Sequence, residues 1–355
     1  MAGLYGEEFV SALERGLRTA LPQWGLAEDC PLRLMALSEN ATFLAEPPDA
    51  APRVFRVHRP GYHDRAEIAS ELDWIAALAE AGTARVPELL PCRDGARIGG
   101  FAHEDGTRHV VAFAFVPGEE PDPEGDLAAG FRQLGAISAD LHAQAAAWTP
   151  PAGFRRKTWD WEAAFGARPL WGDWRAAPGL DAAGRALLDR LAARLKERCE
   201  AYGRGPDRFG LIHADLRLAN LLDGPAGLSV IDFDDCGFSW FAYDFAAAAS
   251  FLEARPVMPE LLAAWVAGYR SRAELAAEHV AMIPDLVLFR RLLLTAWIGS
   301  HGETETADWA GQERYTAGTL ELAERYLCDG AAHLLAGPGP GARPAAHWPG
   351  GGVPR

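Results

Sequence analysis

Leu211–Leu222 reads LIHADLRLANLL, and Leu228–Asp235 reads LSVIDFDD. Each begins as a short apolar strand and ends in polar residues able to do chemistry. His213, Asp215, Arg217, Asn220 and Asp232 therefore fall within one short stretch, with the spacing H-x-D-x-x-x-x-N followed by a strand ending in D-F-D. Phosphoryl transfer from ATP uses such a set: a carboxylate at the acceptor hydroxyl, an amide and a second carboxylate on Mg²⁺, and a cation near the moving phosphate. A turn at Asp223-Gly224 would bring Asn220 and Asp232 to the same end of a small hairpin. Each would then offer one oxygen to Mg²⁺, with the remaining positions left to water and phosphate. Asp215 would sit in the loop and meet the acceptor hydroxyl as an orienting base.

The chain around these segments is globular in composition. It has 355 residues, 49% hydrophobic and 23% charged, enough for two subdomains rather than one core. A net charge of −15 excludes general nucleic-acid binding, which needs a basic stripe. It suits a cationic small substrate, although acidic balance more often serves solubility. The five cysteines are scattered, without CxxC spacing, as expected for reduced thiols. No apolar run is long enough to span a bilayer, and MAGLYGEEFV lacks the basic and apolar regions of a secretory signal. The expected location is cytoplasmic, with no membrane partner.

Residues 5–21 carry helical spacing. From Leu32 to Val116 the pattern is strand-rich: Leu32–Leu37 and Thr42–Ala45 bracket a turn, and Arg53–Arg59 alternates as a strand. One helix, Asp64–Glu80, presents Ile68, Leu72, Ile75 and Leu78, and Glu71 falls inside that apolar face. A buried carboxylate needs a cation, and Arg56 on the preceding strand is the best candidate. Val110–Val116 is apolar and ends at Pro117-Gly118, a natural hinge. Helices are expected over Leu127–Ala147, Ala182–Tyr202, Asp244–Leu252, Pro259–Arg270, Ile283–Ser300 and Ala310–Leu327. Asp244 is expected to cap its helix. The Pro/Gly-rich stretch from Gly337 reads as a disordered tail. The fold class is α+β and bilobal: a small β-rich lobe at 1–116, a larger helical lobe at 117–336, and the tail at 337–355.

On these residues the chain resembles the aminoglycoside phosphotransferase, choline kinase and type II homoserine kinase superfamily, whose fold is protein-kinase-like. HADLRLAN resembles the catalytic loop, which implies that Asp215 is the catalytic base and Asn220 a metal ligand, with Asp232 of IDFDD as the second. RVFRVHRPGYH resembles the strand that carries the phosphate-contacting cation, here Arg56, and Glu71 in SELDWIAAL matches its helix partner. SENATF occupies the position of the phosphate-covering turn, which implicates Ser38 and Asn40. VVAFAFVPG resembles the hinge strand, so the backbones of Ala114 and Val116 should meet the adenine. Arg217, two residues after Asp215, is expected as a cation that could neutralise the moving phosphate.

The resemblance implies an ATP- and Mg²⁺-dependent transfer of the γ-phosphate to a hydroxyl of a small polar acceptor: an amino alcohol, hydroxy amino acid, sugar or aminocyclitol. The family's usual lysine is replaced by Arg56, a planar fork with different reach. That substitution keeps a nucleotide-binding pseudokinase as an alternative, alongside a serine/threonine protein kinase of the bacterial stress-response type acting on a protein substrate. A metal-dependent hydrolase built on His213, Asp215 and Asp232 ranks last, since no second histidine lies nearby in sequence. His213 is expected to hold the loop. Asp234 and Asp235 are read as metal or substrate ligands or as solvated loop caps, and the tryptophans at 159–174 as a cation cage or, preferably, as packing.

Overall fold

The computed structural model describes residues 7–38, 40–104 and 106–331. The tail from 337 and Glu39 of the SENATF turn lie outside them.

The N-terminal region is an antiparallel sheet of order β1-β2-β3-β5-β4. Its strands are β1 (Leu32–Leu37), β2 (Ala41–Ala45), β3 (Arg53–Val57), β4 (Gly99–His103) and β5 (Gly106–Ala114). Period-two alternation gives each strand two faces. Phe43, Phe55, Val57 and Ala112 join Leu13, Leu17 and Trp24 in one core, beneath helix α1 (Glu7–Ala20). The opposite face, with Val54 and Arg56, lines a cavity bordered by Glu71 and Ile75 of helix α2 (Arg65–Ala81). Asp64 and Glu67 close a capping box at the start of α2, fixing where this helix begins.

The rest is helical around two small hairpin-like pairs. Helices α3 (Leu127–Ala147), α4 (Trp161–Phe165) and α5 (Ala182–Tyr202) precede β6 (Phe209–Ile212), β7 (Leu221–Gly224), β8 (Gly227–Val230) and β9 (Gly237–Trp240). Then follow α6 (Tyr243–Ala248), α7 (Met258–Arg270), α8 (Ala277–Ser300), α9 (Glu305–Ala310) and α10 (Gln312–Asp329). Helices α3 and α7 pack closely because Gly135 faces Trp265 backbone and Gly268 faces Arg132 backbone; a Cβ at Gly268 would sit 1.8 Å from the Arg132 carbonyl oxygen. No helix among the described residues is long and apolar enough to cross a membrane.

Three helix boundaries differ from the sequence reading. Helix α8 begins at Ala277 rather than Ile283, and Pro284 lies inside it; proline tends to end a helix, but the buried packing of this one carries it through. The expected helix over Ala310–Leu327 is divided at Gly311, whose φ of +68° breaks the turn between α9 and α10. Helix α6 stops at Ala248, short of Leu252, and Phe251 beyond it takes a φ of +68°.

Candidate active site

The two motif segments meet as a hairpin. β7 pairs with β8 through Leu221↔Val230, and the Ile231 amide donates to the Asn220 carbonyl at 3.0 Å. Asn220 and Asp232 thus emerge at its open end, both lining the larger cavity. His213 Nε2 lies 3.1 Å from the Ile231 carbonyl oxygen, tying the catalytic-loop segment to the IDFDD segment. That is the loop-holding role read from the sequence. β6 pairs with β9 instead of with either hairpin strand, a partner the sequence reading did not anticipate.

Asp215 is held from several sides. Its Oδ2 accepts from Asn220 Nδ2 at 2.7 Å and lies 3.4 Å from Arg217 Nε. Its Oδ1 accepts from Arg290 of α8. Burial alone would raise this carboxyl, but the guanidinium groups of Arg290 and Arg217, with His213, hold it below the usual carboxylate range. Asp215 is therefore an ionised, aimed carboxylate of modest basicity, suited to orienting a hydroxyl and taking its proton late.

Arg290 is the residue at this candidate site that sequence reading missed. It is buried, and it also reaches Ser250 Oγ (3.2 Å), Tyr243 Oη (3.3 Å) and the Ala214 carbonyl (3.4 Å). Its only sequence-level signal is a charged pair, Arg290-Arg291, within an apolar helical run. Arg291 turns the other way, to Glu253 at 3.0 Å.

Asp244 is not a helix cap. The cap position of α6 is Ala242, with no side-chain bond. Asp244 Oδ1 accepts from the Ala214 amide at 2.8 Å, and Oδ2 meets His142 Nε2 at 2.9 Å. The carboxylate thereby braces the catalytic loop where it is strained: Ala214 has a φ of +67°. Among the described residues the non-glycine positions with positive φ are Ala214, Asp232 and Phe251, and all three lie at the site. Such conformations cost about 1–3 kcal/mol each and persist where surrounding contacts enforce them.

Arg56 and Glu71 form the expected buried pair. Arg56 also reaches Asp232 Oδ1 at 3.0 Å, so the cation spans from helix α2 to the metal-candidate carboxylate. Ser38 and Asn40 line both cavities. The Asn40 amide is engaged: Nδ2 donates to Asp234 Oδ2 at 2.8 Å, and Oδ1 accepts from the Arg59 amide at 3.1 Å. Ala114 and Val116 border the larger cavity at its hinge end, with Met35, Ile75 and Phe113.

Asp234 is buried rather than solvated. Besides Asn40 it faces His63 (3.6 Å), His58 (3.7 Å) and Arg56 (3.9 Å). Burial opposes its ionisation, yet His63 and Arg56 hold it well below the usual range. A second rivet comes from the tryptophan-rich connector. Arg156 donates to the backbone carbonyls of Glu67 in α2 and of Asp234 and Cys236, linking α2 to the IDFDD loop. The tryptophans divide: Trp159 and Trp174 are packed, as preferred from sequence, whereas Trp171 lines the second cavity.

There are two adjoining spaces. The larger, about 240 Å³, runs from the hinge to Asp232. The smaller, about 60 Å³, is bounded by Asp215, Asp235, Arg290, Trp171, Trp297 and Thr306. Ser38, Asn40, Arg217 and Asp232 line both.

Residues 33–279 match the model of the phosphotransferase enzyme family. The chain belongs to that family. It is an enzyme that moves phosphate to an alcohol. A solved microcompartment-associated aminopropanol kinase is 48% identical, covers 90% of this chain and 98% of its own, and superimposes with a TM-score of 0.83. Amicoumacin kinase of Bacillus subtilis (strain 168) is 23% identical over 79% of this chain and 83% of its own length. The solved amicoumacin kinase hAmiN, in complex with AMP-PNP, Ca²⁺ and Ami, is 19% identical, covers 82% of this chain and 88% of its own, and has a TM-score of 0.67. That last likeness speaks for the fold: a small antiparallel sheet over a helical C-terminal part, as in protein-kinase-like phosphotransferases.

Proposed function

We propose that this enzyme transfers the γ-phosphate of ATP to the hydroxyl of a small amino alcohol. The carrying observation is the shared wall. Two cavities of unequal size meet at Ser38, Asn40, Arg217 and Asp232, with Asp215 on the smaller side. A phosphate crossing from one to the other passes Arg217, which lines both, and meets an acceptor beside Asp215. The likeness to the aminopropanol kinase supports the acceptor class. The second cavity is the smaller of the two, which is compatible with a short acceptor.

In this reading the lobes divide between Val116 and Pro117, and adenine meets the backbones of Ala114 and Val116. Arg56, steadied by Glu71, neutralises the nucleotide phosphates. The donor set suits Mg²⁺: a half-exposed Asp232 carboxylate, and Asn220, whose Nδ2 is committed to Asp215, leaving Oδ1 for a cation. Hard oxygen donors of this kind suit a small divalent ion that keeps several waters. When bound, Mg²⁺ supplies charge neutralisation at the phosphates. Asp215 accepts the hydroxyl proton as the acceptor oxygen bonds to phosphorus and the bond to the leaving diphosphate breaks; Arg217 stabilises charge on the moving group.

The test is direct. Purified protein with ATP and Mg²⁺ is offered 1-aminopropan-2-ol, ethanolamine and larger hydroxyl acceptors, with ADP release and phosphorus NMR as readouts. A phosphate ester of the small amino alcohols is expected. Nucleotide binding with no ester on any acceptor would instead favour a pseudokinase.

A further inference from the structure

The carboxylates around the acceptor cavity differ in what balances them. Asp215 has Arg290 and Arg217. Asp232 has Arg56. Asp234 has Arg56, His58, His63 and the Asn40 amide. Asp235 has no ion pair among the described residues. Its Oδ1 accepts from the neutral Tyr62 hydroxyl at 2.5 Å. The nearest ammonium, Lys157, instead sits 3.2 Å from the centre of the Tyr62 ring. Burial and the charges of Asp215 and Asp234 push Asp235 up to about 7, against Lys157 and Tyr62. A carboxylate so placed faces the cavity with no cation at ion-pair distance among the described residues.

The surroundings aim it rather than neutralise it. Trp159 Nε1 donates to the Asp235 carbonyl at 2.7 Å, fixing the backbone. Trp171 Nε1 donates to Tyr62 Oη at 2.9 Å, so the Tyr62 proton is directed at Asp235. Tyr62 comes from the segment between β3 and α2, so both lobes build this corner. Trp171 and Trp297 also line this cavity, Trp171 with the Arg290 guanidinium 5.0 Å over its ring and Trp297 stacked on His301.

We propose that Asp235, oriented by Tyr62 and Trp171, is the anchor for the substrate's ammonium group and the residue that selects amino alcohols over uncharged alcohols. This rests on the amino-alcohol reading above. The hydroxyl then reaches Asp215 and the ammonium reaches Asp235, so the two carboxylates divide the substrate's ends. The cavity's length limits the carbon chain between them.

The experiment compares 1-aminopropan-2-ol with propane-1,2-diol, which replaces the ammonium by a hydroxyl. The readout is the ratio of kcat/KM, amine over diol, in the wild type and in Asp235→Asn. Replacing the carboxylate removes a charge-assisted hydrogen bond to the ammonium and lowers that ratio about 30-fold, carried by KM for the amine. Tyr62→Phe, which keeps the carboxylate, lowers it less. ATP titration into each variant shows that it is folded. If Asp235→Asn binds ATP and keeps the wild-type ratio, or loses amine and diol turnover equally, the anchor is elsewhere. Absence of amine turnover in the wild type is a different result: it removes the amino-alcohol reading itself.

Discussion

The cavities proposed for the nucleotide and for the acceptor share a wall but are built differently. The larger one is framed by pairs that are each local, Arg56 on β3 with Glu71 on α2, and Asn220 with Asp232 at one hairpin end, together with Ala114 on β5 beside β3. The smaller one gathers Tyr62 behind Asp235, Trp171 from the connector, Arg290 and Trp297 from α8, and Thr306 from α9. A common cosubstrate needs a local, repeatable frame. A particular acceptor is read by side chains that meet only after the helices pack.

The strongest way to break this comparison is at the boundary. Asp215→Asn should lower kcat by about 10²- to 10⁴-fold while ATP still binds, because Asp215 lies on the acceptor side. Steady-state kinetics with parallel ATP titration checks this, and full activity in the variant would remove Asp215 from the mechanism. Asp232→Asn should act on the other side: ATP binding loses its Mg²⁺ dependence, read by calorimetry with and without the metal. If both variants damaged nucleotide binding alike, the two cavities would not be separable.

What could be read in advance follows the same division. The Arg56–Glu71 pair was legible because a carboxylate on the apolar face of α2 demands a cation and β3 supplies one nearby. The Asn220–Asp232 arrangement was legible because a tight turn fixes which ends of a hairpin coincide. Asp244 was misread: its place beside a helix start suggested a local cap, but its oxygens go to Ala214 and His142, partners far away in sequence. Arg290 was invisible for the same reason. Nothing in an apolar helical run says that one of two adjacent arginines will face a carboxylate 75 residues away.

Arg290 sharpens the comparison further. Arg290→Leu should lower kcat about 10- to 100-fold, because Asp215 loses a restraint on its orientation, with little change in ATP affinity. It should also destabilise the fold by about 3 kcal/mol, since removing one partner leaves a largely buried carboxylate less compensated. Arg290→Lys should recover part of the stability and less of kcat, because lysine restores the charge without the fork that also reaches Tyr243 and Ser250. Denaturant titration and kinetics on the same preparations separate the two effects. A fall in ATP affinity matching the fall in kcat would place Arg290 on the nucleotide side instead.

The last test is pH, and it distinguishes the two carboxylates proposed to hold the acceptor. Asp235, raised to about 7 by burial and by Asp215 and Asp234, binds an ammonium only when ionised. The groups facing it include those two carboxylates, Lys157, Tyr62, Arg156, Tyr243, Cys236 and, across the cavity, Arg290. Its charged form is present above that value and is lost as pH falls through it, so KM for an amino alcohol should rise about tenfold per unit below pH 7. Asp215 is shifted the other way, so it stays ionised over the same interval and kcat should hold level. The diol, with no ammonium to place, should show a flat KM. Measuring both substrates from about pH 5 to about pH 8 therefore reads Asp235 through one parameter and Asp215 through the other. A parallel rise in KM for amine and diol would assign the titration to a group outside the ammonium corner.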